Sequence, residues 1–339
     1  MKINKTGVIE LAHGSGGRAT ASLINDIFYA HFGNAFLDQQ ADQATLPPLA
    51  GRPVFTTDSH VVSPLVFPGG DIGRLAVYGT VNDIAVCGAT PQYLSAGFII
   101  EEGFSIQTLD QIVSSMAAAA KECNVSVVTG DTKVVGRGQA DGLYINTSAI
   151  GDLPTHLSLG PNNIKPGQKI IINGSLGDHA VAILSERESI DLNGGFLSDA
   201  APLVDLIQTM LNAAPGISAM RDLTRGGLSA CLNELAQSAG CGFKIKEQAI
   251  PINANVKAVC ELLGLEALAL ANEGKLVAFC PPEQAEALVS KMRSHPLGTN
   301  AAVIGEVVND PHHFVSMETL YGGARRIAWQ WSDPLPRIC

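Results

Sequence analysis

At 339 residues the chain exceeds the ~250–300 at which a single hydrophobic core stops growing, so two domains are expected. Its 22 Lys and Arg against 32 Asp and Glu give a net charge of −10 with no basic run, which excludes a grip on nucleic acid or on an anionic membrane. Charged residues are only 16% where about 25% is usual, a shortage that points to surface covered by a second copy of the chain. No stretch of ~18 apolar residues occurs and none follows the first lysines, so neither a membrane span nor an export signal is expected. The seven cysteines (Cys87, Cys123, Cys231, Cys241, Cys260, Cys280 and Cys339) have no C-x-x-C spacing and read as reduced thiols in a cytoplasmic protein.

The first feature in chain order is His13-Gly14-Ser15-Gly16-Gly17-Arg18. Its glycines free backbone N–H groups into a donor array suited to phosphate oxygens, or it is simply a flexible loop. Leu23, Ile24, Ile27, Phe28 and Phe32 predict a helix over 20–32. Val54–Thr57 reads as a strand running into Asp58, and Asp71 as the cap of a helix to about Cys87. A strand over 93–100 follows, then a capping box of Thr108 and Gln111 opening a helix to about Cys123. Strands are predicted over 125–129 and 143–150, and Gly151–Gly167 is a linker. Beyond it come a strand over 169–172, a helix opened by Gly177-Asp178-His179, and helices over 201–213 and 227–239. Strands over 275–280 and 302–308 flank a helix over 283–293.

Strands and helices mix without strict alternation, which argues for an α+β fold. The expected units are 1–35, 36–152, 160–320 and a mobile tail over 321–339, whose last seven residues hold two prolines.

Several residues can carry chemistry. Asp58, Asp83 and Asp131 each lie among small side chains; Asp58 and Asp131 follow apolar strands, whereas Asp83 falls in an apolar helix and is expected to be buried. Singly each is a cap or turn residue, but together with the glycine loop they suit a Mg²⁺–polyphosphate site. Lys133 can neutralise a transferring phosphoryl group, and Arg225, in Asp222-Leu-Thr-Arg225-Gly-Gly227, can hold phosphate. Glu273 precedes a strand and suits a general base. His179 is given no role beyond a structural hydrogen bond, and His312-His313 is expected to be exposed. Cys339 is a terminal thiol that a proline-stiffened arm can carry to a cleft.

His13-Gly-Ser-Gly-Gly17, Thr56-Thr-Asp58-Ser59, Pro68-Gly-Gly-Asp71-Ile-Gly73 and Gly79-Thr-Val-Asn82-Asp83 are joined by Gly130-Asp131-Thr132-Lys133, Ala271-Asn-Glu273-Gly-Lys275 and the terminal Pro336-Arg-Ile-Cys339. Across essentially its whole length the chain resembles the HypE family of NiFe-hydrogenase maturation factors. It departs from the pattern at Ala180, where the family has Gly. The resemblance implies a two-domain aminoimidazole ribonucleotide synthetase-like fold, whose N-terminal domains pair into a sheet-built barrel in a homodimer with ATP between the domains. It also implies a carbamoyl dehydratase. HypF places a carbamoyl group on Cys339, ATP drives its dehydration to a thiocyanate, and cyanide passes to iron on a HypC–HypD complex for the Fe(CN)2CO centre.

By the same resemblance, Mg²⁺ falls to Asp58, Asp83 and Asp131, with Asp42 as a further candidate. ATP contacts fall to His13, Gly14, Ser15, Gly16, Gly17, Asn82, Thr132 and Arg225 alongside those aspartates, and catalysis to Cys339, Lys133 and Glu273. The competing readings are another ATP-using enzyme of the superfamily, of selenophosphate synthetase or purine cyclo-ligase type, and a non-enzymatic thiol carrier. The superfamily enzymes need no cysteine at the chain end, and the carrier needs no Asp/Lys/Glu constellation.

Overall fold

Two sheets and the helix wedged between them organise the computed structural model, which describes residues 2–192, 195–331, 335 and 337–339. Ser332–Pro334 and Pro336, part of the expected tail, lie outside the described residues. The first half begins with α1 (Arg18–Leu23), which continues as a π-helical turn through Tyr29 where a regular helix was expected. Its sheet comprises β1 (Arg52–His60), β2 (Thr90–Glu101), β3 (Ser126–Val135) and β4 (Leu143–Leu153), in the order β1-β4-β2-β3. Only β2 and β3 pair in parallel.

Helices α2 (Ile72–Val86) and α3 (Ile106–Glu122) pack on one face of this sheet. Asp71 caps α2 as expected, its Oδ1 accepting from Arg74 N at 2.9 Å, an interaction typically worth ~1 kcal/mol. The cap of α3 is Ser105, whose hydroxyl accepts from Thr108 N at 3.2 Å, so the helix opens earlier than Thr108. Alternation along β4 buries Leu143, Ile145, Thr147 and Ala149 and turns Tyr144, Asn146 and Ser148 to the opposite face. That face is open: Phe55 and Ile99 are 68% and 43% exposed. Among the described residues β1 and β3 are free edges, and no closed barrel forms within one chain.

The second half holds β5 (Lys169–Ile172), α4 (Asp178–Arg187), α5 (Val204–Ala213), β6 (Ala219–Asp222), α6 (Gly227–Ala239), β7 (Gly242–Lys246) and α7 (Ala254–Leu263). It continues with β8 (Leu276–Cys280), α8 (Pro282–Arg293), β9 (Ala302–Val308), β10 (Val315–Glu318) and β11 (Ala324–Arg326). The strands form one sheet in the order β11-β10-β7-β9-β5-β8-β6, antiparallel except for β7–β10. Residues 324–326 pair with Ser316–Glu318 as an edge strand, so the extension toward Cys339 starts later than residue 321.

Helix α2 ties the halves together. Ile72, Leu75, Ala76, Val77, Val81 and Ile84 leave no polar stripe, which suits a helix packed on both sides. It rests on β1 and β4 on one side and on β6 and α5 on the other. Its last turns therefore carry Asn82 and Asp83 to the seam between the two sheets. No described helix is long and apolar enough to cross a membrane.

Candidate active site

A cavity of about 240 Å³ opens at this seam, lined by Asp58, His60, Asp83, Asp222, Arg225, Glu273 and Cys339 among others. Asp58 and His60 alternate on the inner face of β1, which runs on through both residues instead of ending before Asp58. Asp83 is partly buried and accepts a hydrogen bond from Thr56 Oγ1 at 2.9 Å, which fixes it beside β1. Asp222 ends β6, and the turn to Gly227 brings Arg225 round to the cavity. Gly227 has φ +56°, and a Cβ there would lie 2.4 Å from the Leu270 carbonyl oxygen, so this close approach requires glycine. The gain is that the 222–227 turn packs against the segment bearing Glu273, with Asn272 N and Nδ2 both donating to the Leu223 carbonyl.

Glu273 is 4% exposed, and its Oε1 has no hydrogen-bond partner among the described residues. Its backbone N–H donates to Asp199 Oδ1 at 3.0 Å, while Asp199 Oδ2 holds Lys275 Nζ at 2.7 Å in a largely buried pair. Burial, reinforced by the charges of Asp199, Asp222 and Asp58, pushes the Glu273 carboxyl well above the usual range. Desolvation and the charges of Asp83 and Asp58 push Asp222 up to about 7. Burial raises Asp83 as well, against the Thr56 hydrogen bond. Carboxylates that hinder one another's ionisation in one cavity form a donor set that fits a hard divalent cation. Among the described residues, no three His, Cys, Asp or Glu side chains converge as a ready-made cage. A cation on one or two carboxylates completed by phosphate oxygens is the Mg²⁺ pattern.

The end of the chain reaches this cavity as a docked segment instead of a loose arm. Val61 N donates to the Cys339 carbonyl at 3.2 Å, and Ser63 N to the Arg337 carbonyl at 3.2 Å. Ile338 is buried in the core that the first-half sheet and helices share with α4 and α7, and its carbonyl accepts from His179 Nε2 at 2.7 Å. His179 thus clamps the tail, a role that its place at the start of α4 does not suggest.

Of the residues expected from the sequence, Asp58, Asp83, Arg225, Glu273 and Cys339 come together here. Asn82 does not line the cavity. It is buried, its Nδ2 donating to the Ala201 and Glu273 carbonyls and its Oδ1 accepting from Leu203 N at 2.8 Å, so it braces the Glu273 segment. That bond to Leu203 also accompanies a start of α5 later than residue 201.

Asp131 lies within β3, not after a strand, opposite Gly97, and Lys133 lies opposite the exposed Ile99. Their side chains pair at 2.9 Å and are 68% and 65% exposed, on the outer face of the sheet. β3 stands three strand spacings from β1, about 14 Å, so one chain cannot bring Asp131 to Asp58. Thr132 shares this strand, and the loop His13, Gly14, Ser15, Gly16 and Gly17 lies at the same edge, with Gly14 against Val134. The His13 ring accepts from Glu10 N at 2.9 Å, a capping contact. Asp42 is exposed in the segment before β1 and does not line the cavity. Among the charged and titratable cavity residues, His60, Asp222 and Arg337 are those that the sequence analysis did not assign. The alternation of His60 with Asp58 on one strand was the available signal.

Residues 40–153 match the family of AIR synthase related protein, N-terminal domain, and residues 165–318 its C-terminal domain. The chain is 53% identical over 337 residues to carbamoyl dehydratase HypE of Azotobacter vinelandii, covering 99% of this chain and 98% of that one. The chain belongs to the HypE family. A solved HypE in complex with ATP is similar with a TM-score of 0.93 and 43% identity, over 97% of this chain and 99% of that one. A solved HypE–HypF complex gives a TM-score of 0.79 and 44% identity, over 91% and 99%. Ala180 fits its place: its side chain is fully buried and its N–H donates to the Ala271 carbonyl at 3.3 Å.

Proposed function

We infer that this HypE-family chain is an ATP-dependent carbamoyl dehydratase, converting an S-carbamoyl group on its own Cys339 into a thiocyanate for hydrogenase maturation. The observation that carries this reading is the seat of Cys339 in the same cavity as Glu273, Arg225 and the carboxylates of Asp58, Asp83 and Asp222. A thiol carrier needs no such set, and a superfamily kinase or ligase needs no cysteine at its C-terminus.

The chemistry assigns the residues. An amide oxygen leaves poorly, and ATP with Mg²⁺ supplies the phosphoryl group that lets it depart as phosphate. The carbamoyl carbon keeps its bond to Cys339 sulfur, its C–O bond breaks, and its nitrogen gives up two protons, one to Glu273 and one to the departing phosphate. Glu273, whose Oε1 is unpartnered and whose burial makes it a stronger base than an ordinary carboxylate, takes a proton from that nitrogen. Asp58 and Asp83, with phosphate oxygens completing the shell, would hold the cation, and Arg225 the phosphates.

The open sheet face with Phe55 and Ile99 is the surface through which two copies pair, building the barrel that one chain lacks. In that homodimer Asp131, Thr132, Lys133 and the Gly14–Gly17 loop of one copy serve the cavity of the other. Lys133 there steadies the charge that develops in phosphoryl transfer. HypF, the partner in the solved relative complex, is the source of the carbamoyl group, and a HypC–HypD complex in the cytoplasm the acceptor of cyanide.

Mass spectrometry of the C-terminal peptide tests the reading after incubation with HypF, carbamoyl phosphate and Mg-ATP. A carbamoyl adduct on Cys339 that loses one water only with hydrolysable ATP is the expected result. An adduct that persists with ATP would reduce the chain to a carrier.

A further inference from the structure

Among the described residues, three buried side-chain polar atoms have no hydrogen-bond partner: Glu273 Oε1 and both ring nitrogens of His60. All three belong to residues that line the Cys339 cavity. Buried polar groups are nearly always satisfied, so orphans gathered in one cavity mark places where a ligand completes the bonding. Glu273 has its role above. His60 has none.

The ring is 2% exposed at the end of β1, turned inward by its register opposite Ile145. Gly79 of α2 makes room for it, since a Cβ there would stand 3.2 Å from His60 Cε1. Asp58 Oδ2 lies 3.6 Å from Nε2, beyond hydrogen-bonding distance. Val61, the next residue, donates its N–H to the Cys339 carbonyl, so the terminal residue is moored one peptide from the ring.

A carbamoyl group on Cys339 brings two N–H donors and one carbonyl oxygen. The oxygen must face the phosphoryl donor, and Glu273 can accept one N–H. The second N–H needs an acceptor that the cation does not occupy. An imidazole nitrogen that carries no proton accepts a hydrogen bond. Nε2 faces Asp58, which leaves Nδ1 as the ring nitrogen for the substrate.

We propose that His60 is a substrate-binding residue of the dehydratase, its Nδ1 accepting an N–H of the carbamoyl group on Cys339 and holding the amide with its oxygen toward the phosphoryl donor. This rests on the dehydratase reading. Asn places an acceptor where Nδ1 stands, whereas Leu of the same shape does not.

The test uses full-length wild type, His60→Leu and His60→Asn, each carbamoylated by HypF, freed of nucleotide and then given Mg-ATP. Thiocyanate formation is followed in a single turnover. His60→Leu is expected to slow this step about 10- to 100-fold, and His60→Asn to recover most of it. An unchanged rate in His60→Leu, or His60→Asn as slow as His60→Leu, would overturn the proposal. A wild-type chain that forms no thiocyanate would instead overturn the dehydratase reading, and the proposal with it. A second measurement needs neither ATP nor a variant: in wild-type chain carrying ¹⁵N-histidine, carbamoylation should move the His60 Nδ1 resonance upfield. A resonance that stays in place would overturn the proposal.

Discussion

His179 Nε2 donates to the Ile338 carbonyl at 2.7 Å, so a ring buried in the second half of the chain holds the residue next to the terminal cysteine. A carbonyl only accepts, so the proton sits on Nε2, and Nδ1 accepts from Ser198 Oγ at 2.8 Å. Replacing His179 by Leu leaves that buried carbonyl unpaired, at a cost of ~1–3 kcal/mol. Cys339 should then react with a maleimide at least several-fold faster, while dehydration in a single turnover slows. His179→Gln, which keeps a donor, should fall between. Peptide mass spectrometry over a time course of labelling reads the effect.

The same ring sets a pH dependence. Burial holds the His179 pKa below the ordinary imidazole value, so near and below pH ~6.5 the unfolded chain binds a proton that the folded chain refuses. The contribution of His179 to stability is thus complete above that range and is lost as pH falls through it. Wild type should lose more stability than His179→Gln between pH 7 and pH 5 in denaturant titrations, and parallel curves would refute the assignment.

Glu273→Gln should separate chemistry from stability. The glutamine removes a buried charge that Asp199, Asp222 and Asp58 oppose, while keeping the shape of the side chain. A carboxyl with a raised folded pKa destabilises as pH rises above the ordinary carboxylate range, ~4.3, so at pH 8 the variant should be at least as stable as wild type. Thiocyanate formation should nonetheless fall by roughly 10²–10⁴, measured on chain already carbamoylated at Cys339.

What the sequence discloses follows from how local each signal is. Asp71 is legible as a cap because capping needs only its own helix, and Asp58 and Glu273 because each stands where an apolar run meets small polar residues. His60 is fainter for the opposite reason: its alternation with Asp58 puts the two on one face of β1, but only pairing with β4 turns that face to the cavity. The separation of Asp131 from Asp58 is equally hidden. Both follow apolar runs, but their faces depend on register through β4 and β2, which shifts at Pro91/Tyr93 and Leu94/Ser95. Two prolines near the C-terminus argue against a helix, yet the mooring of the tail depends on His179, far away in sequence. Strand β7 has only Phe243 and Ile245 to announce it, too few for a period.

Ala180 bears on family variation. Its backbone N–H already reaches the Ala271 carbonyl, which glycine would also supply. Ala180→Gly should therefore leave turnover unchanged and cost the helix penalty of about 0.5–1 kcal/mol together with roughly 0.8 kcal/mol for the buried methyl, read as a fall in the denaturation midpoint.

The open sheet face carries the last prediction. Phe55 and Ile99 expose apolar surface on a face whose edge bears Lys133 and the glycine loop, while the Glu273 cavity lies behind the opposite face. Pairing of two such faces is isologous, so one Phe55→Asp substitution sets two carboxylates into the interface. The variant should sediment as a monomer, keep its folded circular dichroism, and lose dehydratase activity. If Lys133 acts across the interface, Lys133→Ala and Glu273→Gln are each inactive alone, but a mixed dimer rebuilds one site from the intact Glu273 of one copy and the intact Lys133 of the other. Mixing the two inactive variants under conditions that exchange subunits should therefore restore a fraction of wild-type turnover, and the Phe55→Asp background should abolish that recovery. No recovery between dimers shown to exchange would place Lys133 outside the partner's site.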